Sequence, residues 1–235
     1  MDDLALSAII EDLYALYAGT EKIEVVAESQ RAAVLAHGWY TRVRRNGRAL
    51  QVLTDAGFEH EAAPLRRSMI EHALGLHWLA DANEGAVNVV LTKHRATWTK
   101  IANSLNDDWA VTPEDLNPIL SIEIPNSSES TFGAFKHLCE RYDELGLYVP
   151  WLLETGHSHA SYASAFAYVQ GDGTPENTKL LAEASNHPQT TRGVLASLLY
   201  VASVGFNKIL KGKPWTERLD VIHTQMDGAI NAGRQ

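Results

Sequence analysis

The chain holds one cysteine, Cys139, in 235 residues. No intrachain disulfide can form, and metal clusters held by several thiolates are excluded. Positive charge is also scarce: 20 Lys and Arg face 29 Asp and Glu, for a formal net charge of −9. Broad coating of nucleic acid needs phosphate-neutralising cations and does not suit that balance, so only a local basic patch would serve. No apolar run reaches bilayer length. The longest uncharged stretch, Gly193–Asn207, has 15 residues against the ~20 of a spanning helix, and it reads as a helix buried in a bundle. The opening MDDLALSAIIEDLYALY sets Asp2, Asp3, Glu11 and Asp12 where a secretion signal wants a basic start and an unbroken apolar stretch. With the lone cysteine, this leads us to expect a cytoplasmic protein with no membrane segment. Glycine and proline are too few for collagen-like or low-complexity chains. A 45% hydrophobic fraction excludes disorder and suffices for a core.

Familiar catalytic signatures are missing too. There is no GxGxxG, GxxxxGK[ST], HExxH, EF-hand loop or GxSxG, so the usual phosphate cradles, zinc helices and nucleophile elbows are absent. Strand signals are thin: only Ser121–Ile124 and Lys179–Glu183 qualify, and no Asn-Gly or Asp-Gly turn joins two alternating stretches. No repeat of fixed period occurs.

What is present is helical periodicity. From Asp2 to Ala18, Leu6, Ile9, Ile10, Leu13 and Leu16 recur at three- and four-residue steps, and Gly19 ends the run. Glu21 to Asp55 lacks proline and predicts one long helix, or two with a break at Gly38 or Gly47. Glu59 to Ala82 is the best patterned, with Leu65, Met69, Leu76 and Leu79 on one stripe and Pro64 tolerable in the first turn. Helix continues over Glu84–Leu105. Thr112-Pro113-Glu114-Asp115 and Thr174-Pro175-Glu176 read as helix starts, Ser121–Ser130 as a loop, and Gly171-Asp172-Gly173 as a turn. Helices are expected over Ser128–Leu145, from Pro150 to about Val169, up to Leu210, and after Gly212-Lys213-Pro214. The whole chain, 1–235, is expected to be a single all-α bundle of roughly eight helices with little or no strand.

Two segments hold candidate chemistry. In the Arg66–His77 segment, Arg67 and Glu71 are four apart and can pair, as can Ser68 and His72. His72 lies between Met69 and Leu76 on the apolar stripe and is expected to point inward, where an imidazole must find a partner or lose its charge. The plain reading is a hydrogen-bonded core histidine beside an ion pair. In Thr155–Ser161, His157 and His159 diverge on a helix and converge on extended chain. A break after Gly156 would let both ligate a metal, with Glu71, His72 or Glu154 completing the site. The plain reading is one histidine capping a helix and one in solvent. Arg42, Arg44, Arg45 and Arg48 form the one dense basic cluster.

The stretch Leu53–Leu79, LTDAGFEHEAAPLRRSMIEHALGLHWL, resembles the signature of an uncharacterised all-helical bacterial and phage family with no established activity. The shared features are a Gly-aromatic approach to a helix bearing RSxxE (Arg67, Ser68, Glu71) and a later His with small residues and Ser (His157–Ser161). The resemblance implies that the Arg-Glu helix and the His segment face one another, and it points toward stress or phage-defence proteins of the abortive-infection kind. Arg67-x4-His72 is also similar to the Arg–His pair of HEPN ribonucleases. That likeness implies metal-independent RNA cleavage, with His72 as general acid/base and Arg67 stabilising phosphorane charge.

Three functions follow as expectations. One is a binding module for a protein partner, a second copy or a ligand, anchored by tryptophans such as Trp39, Trp78 and Trp215. A second is an RNA-cleaving toxin using Arg67 and His72. A third is a metal site at His157 and His159. The functional centre is expected where Arg67, Glu71 and His72 meet His157 and His159. No cofactor is implied, and the metal is left open.

Overall fold

In a computed structural model, the structure describes residues 3–20, 22–105, 110, 112, 114–126, 134–142, 146–171, 174, 176–184 and 191–232. The elements run α1 (Asp3–Ala18), α2 (Gln30–Asp55), α3 (Ala63–Ala102), α4 (Asn117–Leu120), α5 (Phe135–Tyr142), α6 (Tyr148–Ser158), α7 (Tyr162–Phe166), β1 (Val169–Gly171), β2 (Thr178–Leu180), α8 (Thr191–Ile209) and α9 (Thr216–Ala232). The fold is essentially all-α: nine helices and one two-stranded hairpin among the described residues.

The best-patterned segment is the organising helix. α3 packs against α2, α8 and α6, while α1 lies across α8 and α9. Its stripe of Met69, Ile70, Ala73, Leu74, Leu76, Trp78 and Leu79 is buried. The same core takes in Leu6, Ile9, Ile10 and Leu13 of α1 and Leu195, Leu198 and Leu199 of α8. Burying such side chains supplies the main favourable term in folding. Trp78 and Trp215 are part of it, at 0% and 4% exposure, so neither is available to a partner. Trp215 closes an aromatic box in which Tyr40 stacks on Phe206, centroids 4.6 Å apart. Buried Asn207 accepts from the Trp215 backbone N–H at 3.0 Å and donates to Thr216 Oγ1 at 3.1 Å, tying the start of α9 to α8.

The helices approach closely where side chains vanish. A Cβ on Gly205 of α8 would sit 2.9 Å from Leu76 Cβ and 3.1 Å from the His77 backbone nitrogen. Gly47 plays the same part against Tyr14 and Leu195. It does not break α2, which is continuous through both Gly38 and Gly47.

Elsewhere the expectations shift. The helix expected from Glu21, a position outside the described residues, does not cover residues 22–26: this stretch is non-helical, with Val25 bridging Leu210 and the Lys211 N–H donating to the Glu24 carbonyl. The β-branched run there serves as strand-like edge for the turn after α8. α3 passes through Asn83 with a kink (φ 46°, ψ −119°), and the Asn83 amide donates to the Glu28 carbonyl and to Ser29 Oγ, both at 3.0 Å. Beyond Leu91 most of α3 is exposed. Thr112 and Asp115 cap each other as expected, the Thr112 N–H and Oγ1 both reaching Asp115 Oδ2. No helix follows Thr174 and Glu176, which lie inside the β1–β2 hairpin. Gly171 there adopts φ +115°, and any Cβ would strike the Asn177 carbonyl, so the hairpin forms where only glycine fits. Ser121–Ile124 is not strand; residues 121–126 are turn and irregular chain. Asn186-His187-Pro188, Trp109, Pro113 and the two ends of the Ser128–Leu145 expectation lie outside the described residues. Among the described residues, no helix is long and apolar enough to cross a membrane.

Gly205→Ala is expected to cost about 1–3 kcal/mol by forcing α8 off α3. Urea denaturation of the variant beside the unchanged protein measures it.

Candidate functional site

The Arg-Glu helix and the His segment do face one another: α6 packs on α3, and polar side chains bridge them in two layers. The inner layer is Arg66–Glu154, Nε to Oε1 at 2.7 Å, with both side chains at least 98% buried. Arg66 Nη1 also donates to the Glu59 carbonyl at 2.8 Å. Arg66 Nη2 and Glu154 Oε2 have no hydrogen-bond partner among the described residues. The outer layer is part-exposed. Arg67 donates from Nε to Glu71 Oε1 at 3.1 Å and from Nη1 to His159 Nε2 at 2.5 Å. Trp151 Nε1 donates to the same Glu71 oxygen at 2.9 Å. The Arg67 guanidinium lies 5.5 Å from the Trp151 ring, which stacks on Phe135. A guanidinium can only donate, so His159 Nε2 carries no proton and its N–H is on Nδ1. This layer is charge-compensated, and its cation stands against the nitrogen that a metal would need.

His72 and His157 look elsewhere. His72 Nδ1 donates to the Ser68 carbonyl at 2.6 Å, and its ring meets Trp39 of α2 edge-on. Burial pushes this imidazole below its ordinary value; the Ser68 carbonyl and Glu71 pull the other way, and Arg42 adds to the fall. His157 stays on α6, because Gly156 does not break the helix; the chain becomes extended only at His159 (φ −120°, ψ 162°). With one imidazole on the helix and the next beyond its end, the two histidines part. His157 packs edge-on against His60, centroids 5.4 Å apart, in a cavity of about 290 Å3 that also holds Glu61 and Tyr168. Burial and then His60 lower its basicity. Among the described residues no three His, Cys, Asp or Glu side chains group as metal ligands. Cys139 is buried on α5.

A larger opening, of about 520 Å3, lies between α3, α5, α8 and α9. Leu74, Leu147 and Val201 form an apolar floor; Asp81, Arg141 and Lys208 stand exposed around it. Within it His77 is held from both sides. Its Nε2 lies 2.9 Å from the Val201 carbonyl and its Nδ1 3.3 Å from Lys208 Nζ. A carbonyl only accepts and an ammonium only donates, which assigns the proton to Nε2 and a lone pair to Nδ1. His223 stacks on Tyr200 at the far wall. The cleft leaves only faint traces in the sequence. They are His77 and Asp81 one helical turn apart, and the Tyr200, Val204, Lys208 ladder at four-residue steps.

Removing one member of the buried pair, as in Glu154→Gln, is expected to destabilise by about 3–5 kcal/mol, because a charge is left unpaired in the core. The double variant Arg66→Met/Glu154→Met should recover much of that loss in urea melts. His72 predicts a pH effect. Its value in the fold lies below 6.5, so between the two values the unfolded chain binds a proton that the folded chain does not. Stability therefore falls as pH drops below about 6.5, and His72→Gln should flatten that slope in thermal melts.

Residues 33–114, which span all of α3 and the arginine cluster of α2, match a family of unknown function (DUF5677). The match contains the whole Leu53–Leu79 resemblance and not the His157–His159 segment, and a likeness to HEPN ribonucleases is not shown by it. No curated protein matches the chain, and no solved structure does.

Proposed function

We propose that this protein is a small-molecule-binding helical bundle. Its ligand has an apolar body and an anionic end, and it occupies the cleft between α3, α5, α8 and α9. The observation that carries this reading is the fixed His77 on a buried apolar floor, with Arg141 and Lys208 outnumbering Asp81 around it. Binding sites have this build: apolar walls for area and a few oriented polar groups for selectivity. Lys208 and Arg141 would take the anionic end, Leu74 and Val201 the body. A cytoplasmic setting goes with this reading. It makes no use of RNA cleavage by Arg67 and His72, since Arg67 is engaged by Glu71 and His159, and the Nδ1 proton of His72 by the Ser68 carbonyl.

The test uses 8-anilinonaphthalene-1-sulfonate, an apolar body with one anionic group, titrated by fluorescence into native protein. One saturable site is expected, weakened by about tenfold or more in Lys208→Glu and blocked by Val204→Trp, which fills the cleft. Circular dichroism confirms that each variant is folded. Unchanged dye binding by both folded variants ends the proposal.

A further inference from the structure

We infer that the groove between α1 and α2 is a second, separate site, which holds two linked phosphoryl groups. In a chain of net charge −9, Arg42, Arg44, Arg45 and Arg48 crowd into seven residues of α2. Arg44, Arg45 and Arg48 line an open cavity of about 460 Å3 together with Tyr14 and Thr41. Arg44 and Arg48 are one helical turn apart, about 6 Å along the axis, so both guanidinium groups address the same space.

Two of the three are fixed before any ligand arrives. Arg44 Nη2 donates to the Tyr14 carbonyl at 3.2 Å, and its guanidinium lies 4.6 Å from the Tyr17 ring centroid. Arg48 lies over the Tyr14 ring at 3.7 Å and grips Glu11 with both terminal nitrogens, at 2.6 and 2.9 Å. Arginines already held by aromatic faces lose little further freedom on binding. Donor capacity remains. Exposed Arg45 makes no ion pair among the described residues, so its donors are open to a ligand; Arg44 Nε, without a hydrogen-bond partner among the described residues, is buried and is not one of them. Three arginines against Glu11 leave an excess of two positive charges. The Tyr14 phenol does not reduce it, because burial pushes its titration up to about 12.

The groove favours a compact anion over a nucleic-acid strand. Single strands bind through aromatic faces on which bases stack. Here the nearest ring, Tyr14, is only 5% exposed and is covered by Arg48. What is offered is charge and forked donors, which suit phosphoryl oxygens. Such a diphosphate could be free or could end a nucleotide.

Calorimetric titration with inorganic pyrophosphate, with ADP and with a single-stranded RNA 12-mer tests the inference. Pyrophosphate or ADP should bind at one site. Arg45→Gln, which alters an exposed side chain with no ion pair, should weaken that binding tenfold or more. Glu11→Gln should tighten it several-fold by releasing the Arg48 fork, a gain that a merely structural role for the Arg48–Glu11 pair would not produce. ADP tighter than pyrophosphate assigns the diphosphate to a nucleotide, and equal or weaker ADP assigns it to the free anion. Lys208→Gln should leave pyrophosphate binding unchanged, which separates this groove from the α3/α5/α8/α9 cleft. No binding of either anion, wild-type binding by Arg45→Gln, loss of binding in Lys208→Gln, or RNA binding tighter than both anions would overturn it.

Discussion

Arg66 and Glu154 bury opposite charges between α3 and α6, and the placement of the whole α6 side of the molecule depends on that contact. Neither group could be carried into the core alone, because an unpaired charge there costs several kcal/mol. Each is tolerated only because the other meets it at 2.7 Å. The interaction is therefore conditional, and it selects one register of α6 against α3. Once the register is set, Trp151 comes within reach of Glu71 and His159 within reach of Arg67. The outer, half-solvated contacts are worth little by themselves. They report the position that the inner pair imposes.

This bears on what the RSxxE pattern is for. Arg67 and Glu71 sit in a network whose donors and acceptors satisfy each other across two helices. Chemistry on a substrate would require that network to open. The cleft beneath α5 and α9 has the opposite character, since its charged groups line an open volume and its imidazole is oriented by a carbonyl rather than absorbed by an ion pair.

Much of the fold could be read from periodicity, because the deciding signal is local. The stripe from Met69 to Leu79, the stop at Gly19 and the Thr112–Asp115 cap each follow from contacts within a turn or two of helix. The Arg67–Glu71 pair was readable for the same reason. What escaped was set by distant chain. Nothing local marks Arg66 as a core residue; its counter-charge is Glu154, 88 positions away. Val25 looked helical until it met Leu210. His157 and His159 were expected to share a site, yet the helix ends between them. The β1–β2 hairpin was obscured by a proline-acid pattern that usually opens helices, and was decided by one glycine at positive φ.

The bend at Asn83 divides α3 into two mechanical regimes. Inward of it, the helix is clamped on several sides. Outward, past Leu91, its turns have few neighbours to reinforce their backbone hydrogen bonds. Solvated turns of this kind open at far lower free energy than core helix and do so as a local unit. The outer segment can thus fray, reform or be pulled aside while the side-chain amide of Asn83, fastened to Glu28 and Ser29, keeps the disturbance from reaching the packed half. One continuous helix in sequence behaves as a rigid shaft with a compliant tip.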